Sequence, residues 1–124
     1  KGCIHMNIGT PLTSDEIAAA ALCDKNDRYQ LIRHAVDLRV IEGYKLWKNN
    51  YIAYDILNHS FKYSDYYSPV DMEQFVGYMS KKLDTVEPEI NREDLRRIFL
   101  EIYANPVVTK ELLAKEKATG AILL

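Results

Sequence analysis

Several things are scarce in this sequence. It holds two cysteines, Cys3 and Cys23, too few for a disulfide framework and at a spacing that matches no metal motif. They read as two reduced thiols of an intracellular protein. Nowhere does the chain approach the roughly 20 consecutive apolar residues of a membrane-spanning helix. Nor does it open with the charged stretch and apolar core of a secretory signal. Excess basic charge is missing as well: 16 Lys and Arg face 18 Asp and Glu, a formal net charge of -2. That balance speaks against a dedicated nucleic-acid binder and against whole-surface attraction to anionic lipid, while leaving room for a local basic patch. Internal repeats and low-complexity stretches are absent. The first residue is lysine rather than methionine, which suggests a trimmed product or a piece of a longer protein.

What is present is an ordinary globular composition. The 124 residues are 48% hydrophobic and 27% charged, enough for one domain with a modest core. Periodicity makes it mainly α. Thr13 and Glu16 are the two halves of a capping box, so a first helix starts near Ser14 and runs to about Cys23. Asp24 or Asn26 can cap a second. The pattern carries that helix from Asp27 to Lys48, with Ile32, Ala35, Val36, Val40, Tyr44 and Trp47 on one stripe and Gly43 as a weak point inside it. Asn49-Asn50 turns or kinks the chain, and YIAYDIL is helical again to about His59. FKYSDYYSP is either a short strand or an aromatic loop. Ser68-Pro69 opens a helix whose Met72, Phe75, Val76, Met79 and Leu83 form a core stripe. Asn91 caps the next, with Leu95, Ile98, Phe99 and Ile102 facing inward and Asn105-Pro106 ending it. Val107 to Lys117 reads as a last helix stopped by Gly120, before an apolar AILL tail. Short helices on short connections predict an irregular bundle.

The start of the chain is the exception. Ile4, Met6 and Ile8 alternate with Cys3, His5 and Asn7, which predicts one short N-terminal β-strand over Cys3–Ile8. Two-stranded pairing is marginal in water, so its sheet is expected outside this chain, in a preceding domain or a second copy. Otherwise the segment is simply extended and packed on the helices. The stretch KGCIHMNIGTPL resembles the last conserved block of the glycerolipid (1-acylglycerol-3-phosphate-type) acyltransferase family, at Gly2, Ile4, Met6, Ile8, Gly9, Pro11 and Leu12. YKLWKNNYIAYDIL and FLEIYANPV also resemble C-terminal extensions of bacterial members. The resemblance implies that residues 1–12 are the closing strand and exit turn of a preceding acyltransferase domain, with residues 13–124 a helical C-terminal domain. The chemistry of that family resembles a His-x4-Asp pair, a general base and its orienting aspartate, and a Glu-Gly-x-Arg block that binds the acceptor phosphate. Neither is in this sequence. EGYK at Glu42–Lys45 has lysine where that block has arginine, and reads as a chance echo.

Other groupings bring chemistry-bearing residue types together. His34 and Asp37 can pair on one helix, but no nucleophile sits in a strained elbow beside them, so a solvated surface pair is expected. Asp55 and His59 stand four apart, a spacing that can hold a metal, without a third ligand. Cys3 and His5 share a strand face, two ligands where a structural zinc needs four. Arg92, Arg96 and Arg97 cluster among Glu93 and Asp94 and read as a solvated face. No catalytic residue, metal ligand or cofactor site is therefore assigned.

The remaining cluster is aromatic. Tyr44, Trp47, Tyr51 and Tyr54 recur at helical spacing, followed by Tyr63, Tyr66 and Tyr67, with Lys45 and Lys48 interleaved. Such rings suit a core whose hydroxyls reach the edge, or an interaction surface. Taken with the resemblance, the expectation is a non-catalytic C-terminal region of an acyltransferase that moves a fatty acyl group from a thioester to a lipid-precursor hydroxyl. The alternative is a helical protein-interaction module without enzymatic activity. The partners implied are the acyltransferase domain itself, a homodimer through the N-terminal strand, and peripheral contact with a membrane; nucleic acid is not among them. The location implied is the cytoplasm, at the inner face of the membrane.

Overall fold

Capping signals decide where most of the helices begin. The computed structural model describes residues 2–119 and is mainly helical. Its elements are α1 (Ser14–Ala21), α2 (Lys25–Glu42), α3 (Lys48–Asn58), a single 3-10 turn (Ser64–Tyr66), α4 (Pro69–Asp84) and α5 (Arg92–Thr119). The Thr13 hydroxyl accepts from the Glu16 amide at 3.1 Å, and the Glu16 carboxylate accepts from the Thr13 amide at 2.9 Å. Asp24 caps α2 by accepting from the Asp27 amide at 3.0 Å. Ser68 and Asp71 form a second capping box ahead of Pro69, and Asn91 accepts from the Asp94 amide at 3.0 Å. Each cap occupies a donor that a helix end would otherwise leave unpaired.

The chain divides into two units: Leu46–Thr109, and the residues up to Lys45 together with those from Lys110. In the first of these, α3, α4 and the first part of α5 enclose Ile52, Ala53, Phe75, Met79, Leu83, Leu100 and Ala104. Phe75, Phe99 and Tyr103 meet with ring centroids 5.2–5.9 Å apart, a spacing at which aromatic pairs attract beyond their area burial. The Asn50 side-chain amide donates to the Tyr103 carbonyl at 2.8 Å and ties α3 to α5. Lys48 meets Asp71 at 3.3 Å across α3 and α4, and hydrogen bonds from the Ser68 amide and hydroxyl hold the Asp71 carboxyl below its ordinary value.

In the other unit, α1 lies against α2. Its buried apolar residues among those described are Ala20, Ala35 and Leu113. Polar contacts do much of the joining. Arg39 of α2 reaches Glu16 of α1, the carbonyls of Thr10 and Pro11, and its own helix at Ala35. Lys110 donates to the Glu42 carbonyl at 3.3 Å, and Lys117 pairs with the Glu42 carboxylate.

Four sequence expectations are corrected. The N-terminal β-strand is not formed: no strand occurs among the described residues, and none of residues 2–12 takes part in a backbone–backbone hydrogen bond. A strand needs a neighbouring edge, and the one other candidate, FKYSDYYSP, folds as a 3-10 turn. The helix expected over Asp27 to Lys48 breaks at Gly43, the C-cap of α2. There the Asn7 side chain lies so close that a Cβ on residue 43 would collide with it. A new helix starts at Lys48, with the Asn50 side chain accepting from the Trp47 amide at 2.7 Å. Asn105-Pro106 does not end a helix, since α5 runs through both. Proline removes one amide and so frees the Ile102 carbonyl, and Ile102 lies on the exposed face where water can serve that carbonyl. Finally, Leu95 and Phe99 pack on the core as expected, beside the buried Leu100, Ala104 and Val107, but Ile98 and Ile102 are exposed. The stop at Gly120 and the AILL tail lie outside the described residues.

Candidate functional site

The aromatic cluster assembles around one carboxylate. Asp55 lies on the buried face of α3, one turn beyond Ile52, and is 2% exposed. After α3 ends, residues 60–67 fold back over it. The Ser60 hydroxyl donates to Asp55 Oδ1 at 2.8 Å, the Tyr63 amide to Oδ2 at 3.1 Å, and the Tyr67 hydroxyl to Oδ2 at 2.7 Å. The Ser60 amide closes the turn on the Asp55 carbonyl at 2.9 Å. A buried charge of this kind is tolerable only because its lone pairs are filled. Burial, and then the hydrogen bond to Asp55, push the Tyr67 phenol up to about 12.

With the loop held there, four of the predicted rings meet. Tyr51 stacks on Tyr66 at 4.4 Å and tilts against Tyr63 at 4.9 Å. Tyr63 also meets Tyr54 edge-on at 5.2 Å and Tyr66 at 5.8 Å. Burial, with Tyr66 close by, raises the Tyr51 phenol above its ordinary value. The Lys62 ammonium stands over the rings of Tyr54 and Tyr63, 5.9 and 5.4 Å from their centroids, within the range of a cation–π attraction. Phe61 and Tyr66 are 82% and 57% exposed, so the outer side of this stack carries apolar surface.

The other predicted residues are placed differently. Tyr67 spends its hydroxyl on Asp55 rather than at the surface. Trp47 is the N-cap of α3 and 38% exposed; Tyr44 follows α2 in the other unit and is 37% exposed. Neither stands inside a helix, so the continuous stripe from Tyr44 to Tyr54 does not exist. Asp55 and His59 are not a ligand pair: Asp55 is committed to the loop, and His59 is the exposed, left-handed C-cap of α3 with φ 50°. Among the described residues no group of three or more His, Cys, Asp or Glu could hold a metal ion. His34, Asp37, Cys3 and His5 are all exposed. Arg92 pairs with Asp84 at 2.8 Å and Arg97 with Glu101 at 3.1 Å. His59, Arg96 and Arg97 line an open cleft together with Glu93 and Asp94. Among the described residues, no helix is long and apolar enough to cross a membrane.

Sequence reasoning missed the organising role of Asp55 and Ser60. The signal was there: a lone acid on the apolar face of YIAYDIL, followed within twelve residues by Ser60 and Tyr67. Compared with family models, with curated proteins and with solved structures, the chain matches none.

Proposed function

We propose that this chain is the non-catalytic helical C-terminal region of a glycerolipid acyltransferase, whose whole polypeptide transfers a fatty acyl group from a thioester to a hydroxyl of a lipid precursor. One observation supports this above the rest. In the segment that resembles the family's closing strand, Ile4, Met6 and Ile8 are 93%, 82% and 89% exposed, and the backbone of residues 2–9 makes no hydrogen bond to another described residue. An alternating apolar row with unpaired main-chain groups suits the edge of a sheet that the described residues do not supply. The partner is then the acyltransferase domain, which this region completes and buttresses, in the cytoplasm at the inner face of the membrane. A second reading is favoured by the exposed outer side of the tyrosine cluster: a helical interaction module whose contact surface is Phe61, Tyr66 and their neighbours.

The two readings separate cleanly. The first expects a His-x4-Asp block and a Glu-Gly-x-Arg block in the coding sequence within about 150 residues before Lys1, roughly one domain. It also expects the 124-residue chain alone to turn over no acyl thioester. An open reading frame that begins near Lys1 contradicts it, as does turnover that His34→Ala abolishes.

A further inference from the structure

We propose that Arg39 is the anchor that aims the N-terminal segment, making residues 2–9 a pre-set strap rather than a loose tail. This rests on the reading that the segment pairs with a sheet edge, and adds how the fold presents it. A guanidinium carries five N–H groups in a rigid planar fork. All five find acceptors here. Nε donates to the Thr10 carbonyl at 2.9 Å. One terminal nitrogen donates to Glu16 Oε2 at 3.0 Å and to the Ala35 carbonyl at 2.9 Å. The other donates to the Pro11 carbonyl at 3.4 Å and to Glu16 Oε1. The exit turn of the segment, the cap of α1 and the backbone of α2 thus converge on one group. Its side chain and that of Glu16 are 19% and 16% exposed, so water competes less for the bonds to Glu16 and the Ala35 carbonyl than for those to the Thr10 and Pro11 carbonyls. The hydrogen bond from Arg39 is the main reason the Glu16 carboxyl is lowered to about 2.

Two contacts continue the direction set at the clamp. Gly9 lies against the Arg39 stem, and Asn7 against Gly43, so the segment runs along the C-terminal end of α2. Asn7 lies against α2 at Gly43, while Ile4, Met6 and Ile8 are exposed, as are Cys3 and His5. Residues 2–9 themselves make no hydrogen bond to another described residue, so the clamp acts on them through Thr10 and Pro11. Lysine could not replace the clamp, because three donors on one flexible nitrogen do not span four separate acceptor groups. A strap already aimed loses less freedom on pairing than a free tail does.

The test uses the whole chain with Cys3 and Cys23 changed to serine and spin labels attached after Met6→Cys and Gln30→Cys. Electron–electron distance measurement is expected to give a narrow distribution in this background. Arg39→Ala is expected to broaden it at least twofold at unchanged helical circular dichroism, and Arg39→Lys to fall between. Gly43→Ala, which leaves the clamp intact, is expected to displace Asn7 and shift the mean distance. A background as broad as Arg39→Ala overturns the proposal, and so does an Arg39→Ala distribution as narrow as the background. Should Arg39→Ala lose helix, Arg39→Lys decides, and an unchanged width there overturns it. An unbroadened distribution removes the anchor and leaves the acyltransferase reading standing; missing upstream blocks remove that reading and leave the anchor.

Discussion

Ile52, Phe75, Met79, Leu83 and Leu100 are all buried inside the unit from Leu46 to Thr109, whereas the described residues of the unit built on α1 and α2 bury two alanines and Leu113. The first encloses large rings and branched chains, each worth roughly 1.5–3 kcal/mol when removed from water. The second is joined through Arg39, Glu16 and Glu42; both units leave large apolar side chains exposed, Leu22, Tyr29 and Val40 in this one and Phe61, Val70 and Ile102 in the other. One unit thus carries its own core. The other carries polar fastenings and the exposed apolar residues Ile4, Met6 and Ile8.

The largest predicted effect falls on the first unit. Phe75→Ala removes the ring at the centre of the Phe99–Tyr103 contacts and is expected to cost about 3–5 kcal/mol, read as a drop in the urea midpoint. Asp55→Ala comes next. It strands the Ser60 and Tyr67 hydroxyls and the Tyr63 amide, at an expected cost of about 2–3 kcal/mol. It should also open the loop to trypsin at Lys62. A His59→Gly change should go the other way. His59 holds a left-handed conformation that glycine adopts without strain, for an expected gain of about 0.5–1 kcal/mol. On the second unit, Leu22→Gln is expected to change stability by less than about 0.5 kcal/mol, because Leu22 is already in water. A loss there as large as that of Phe75→Ala would erase the contrast.

Titration sharpens the same contrast. Glu16 falls from 4.5 to about 2 on folding. Its contribution is therefore fully present above pH 4.5 and is lost as pH falls through about 2. Tyr67 rises from 10.0 to about 12. Its contribution is present below pH 10.0 and is lost as pH rises through about 12. Tyrosine absorbance and near-ultraviolet dichroism should report the alkaline change in the Asp55 loop, and the amides of α1 the acid change at Glu16.

Local chemistry was readable wherever the deciding contacts are local. Thr13 with Glu16, Ser68 with Pro69, and Asn91 all mark helix starts, since a cap needs only its own first turn. Most of the α4 stripe was readable for the same reason: Phe75, Met79 and Leu83 are buried and Met72 packs on them, while Val76 is exposed. What escaped reading depends on distant residues. Gly43 looks like a weak spot inside a helix until Asn7 arrives beside it. Pro106 looks like a terminator until Ile102, whose carbonyl it frees, proves to be on the exposed face. Asp55 looks like half a metal pair with His59 until Ser60, Tyr63 and Tyr67 fold back onto it. The alternation of Ile4, Met6 and Ile8 was legible as a pattern, but a strand also needs an edge, and the described residues offer none.

Native-state hydrogen exchange across the whole chain tests the difference between the two units most directly. Amides of α3, α4 and the first part of α5 should exchange only on global unfolding, and those of α1 and α2 orders of magnitude faster. Amides of residues 3–8 should exchange at nearly unprotected rates. Equal protection in the two units, or slow exchange over residues 3–8 in the isolated chain, would contradict the account.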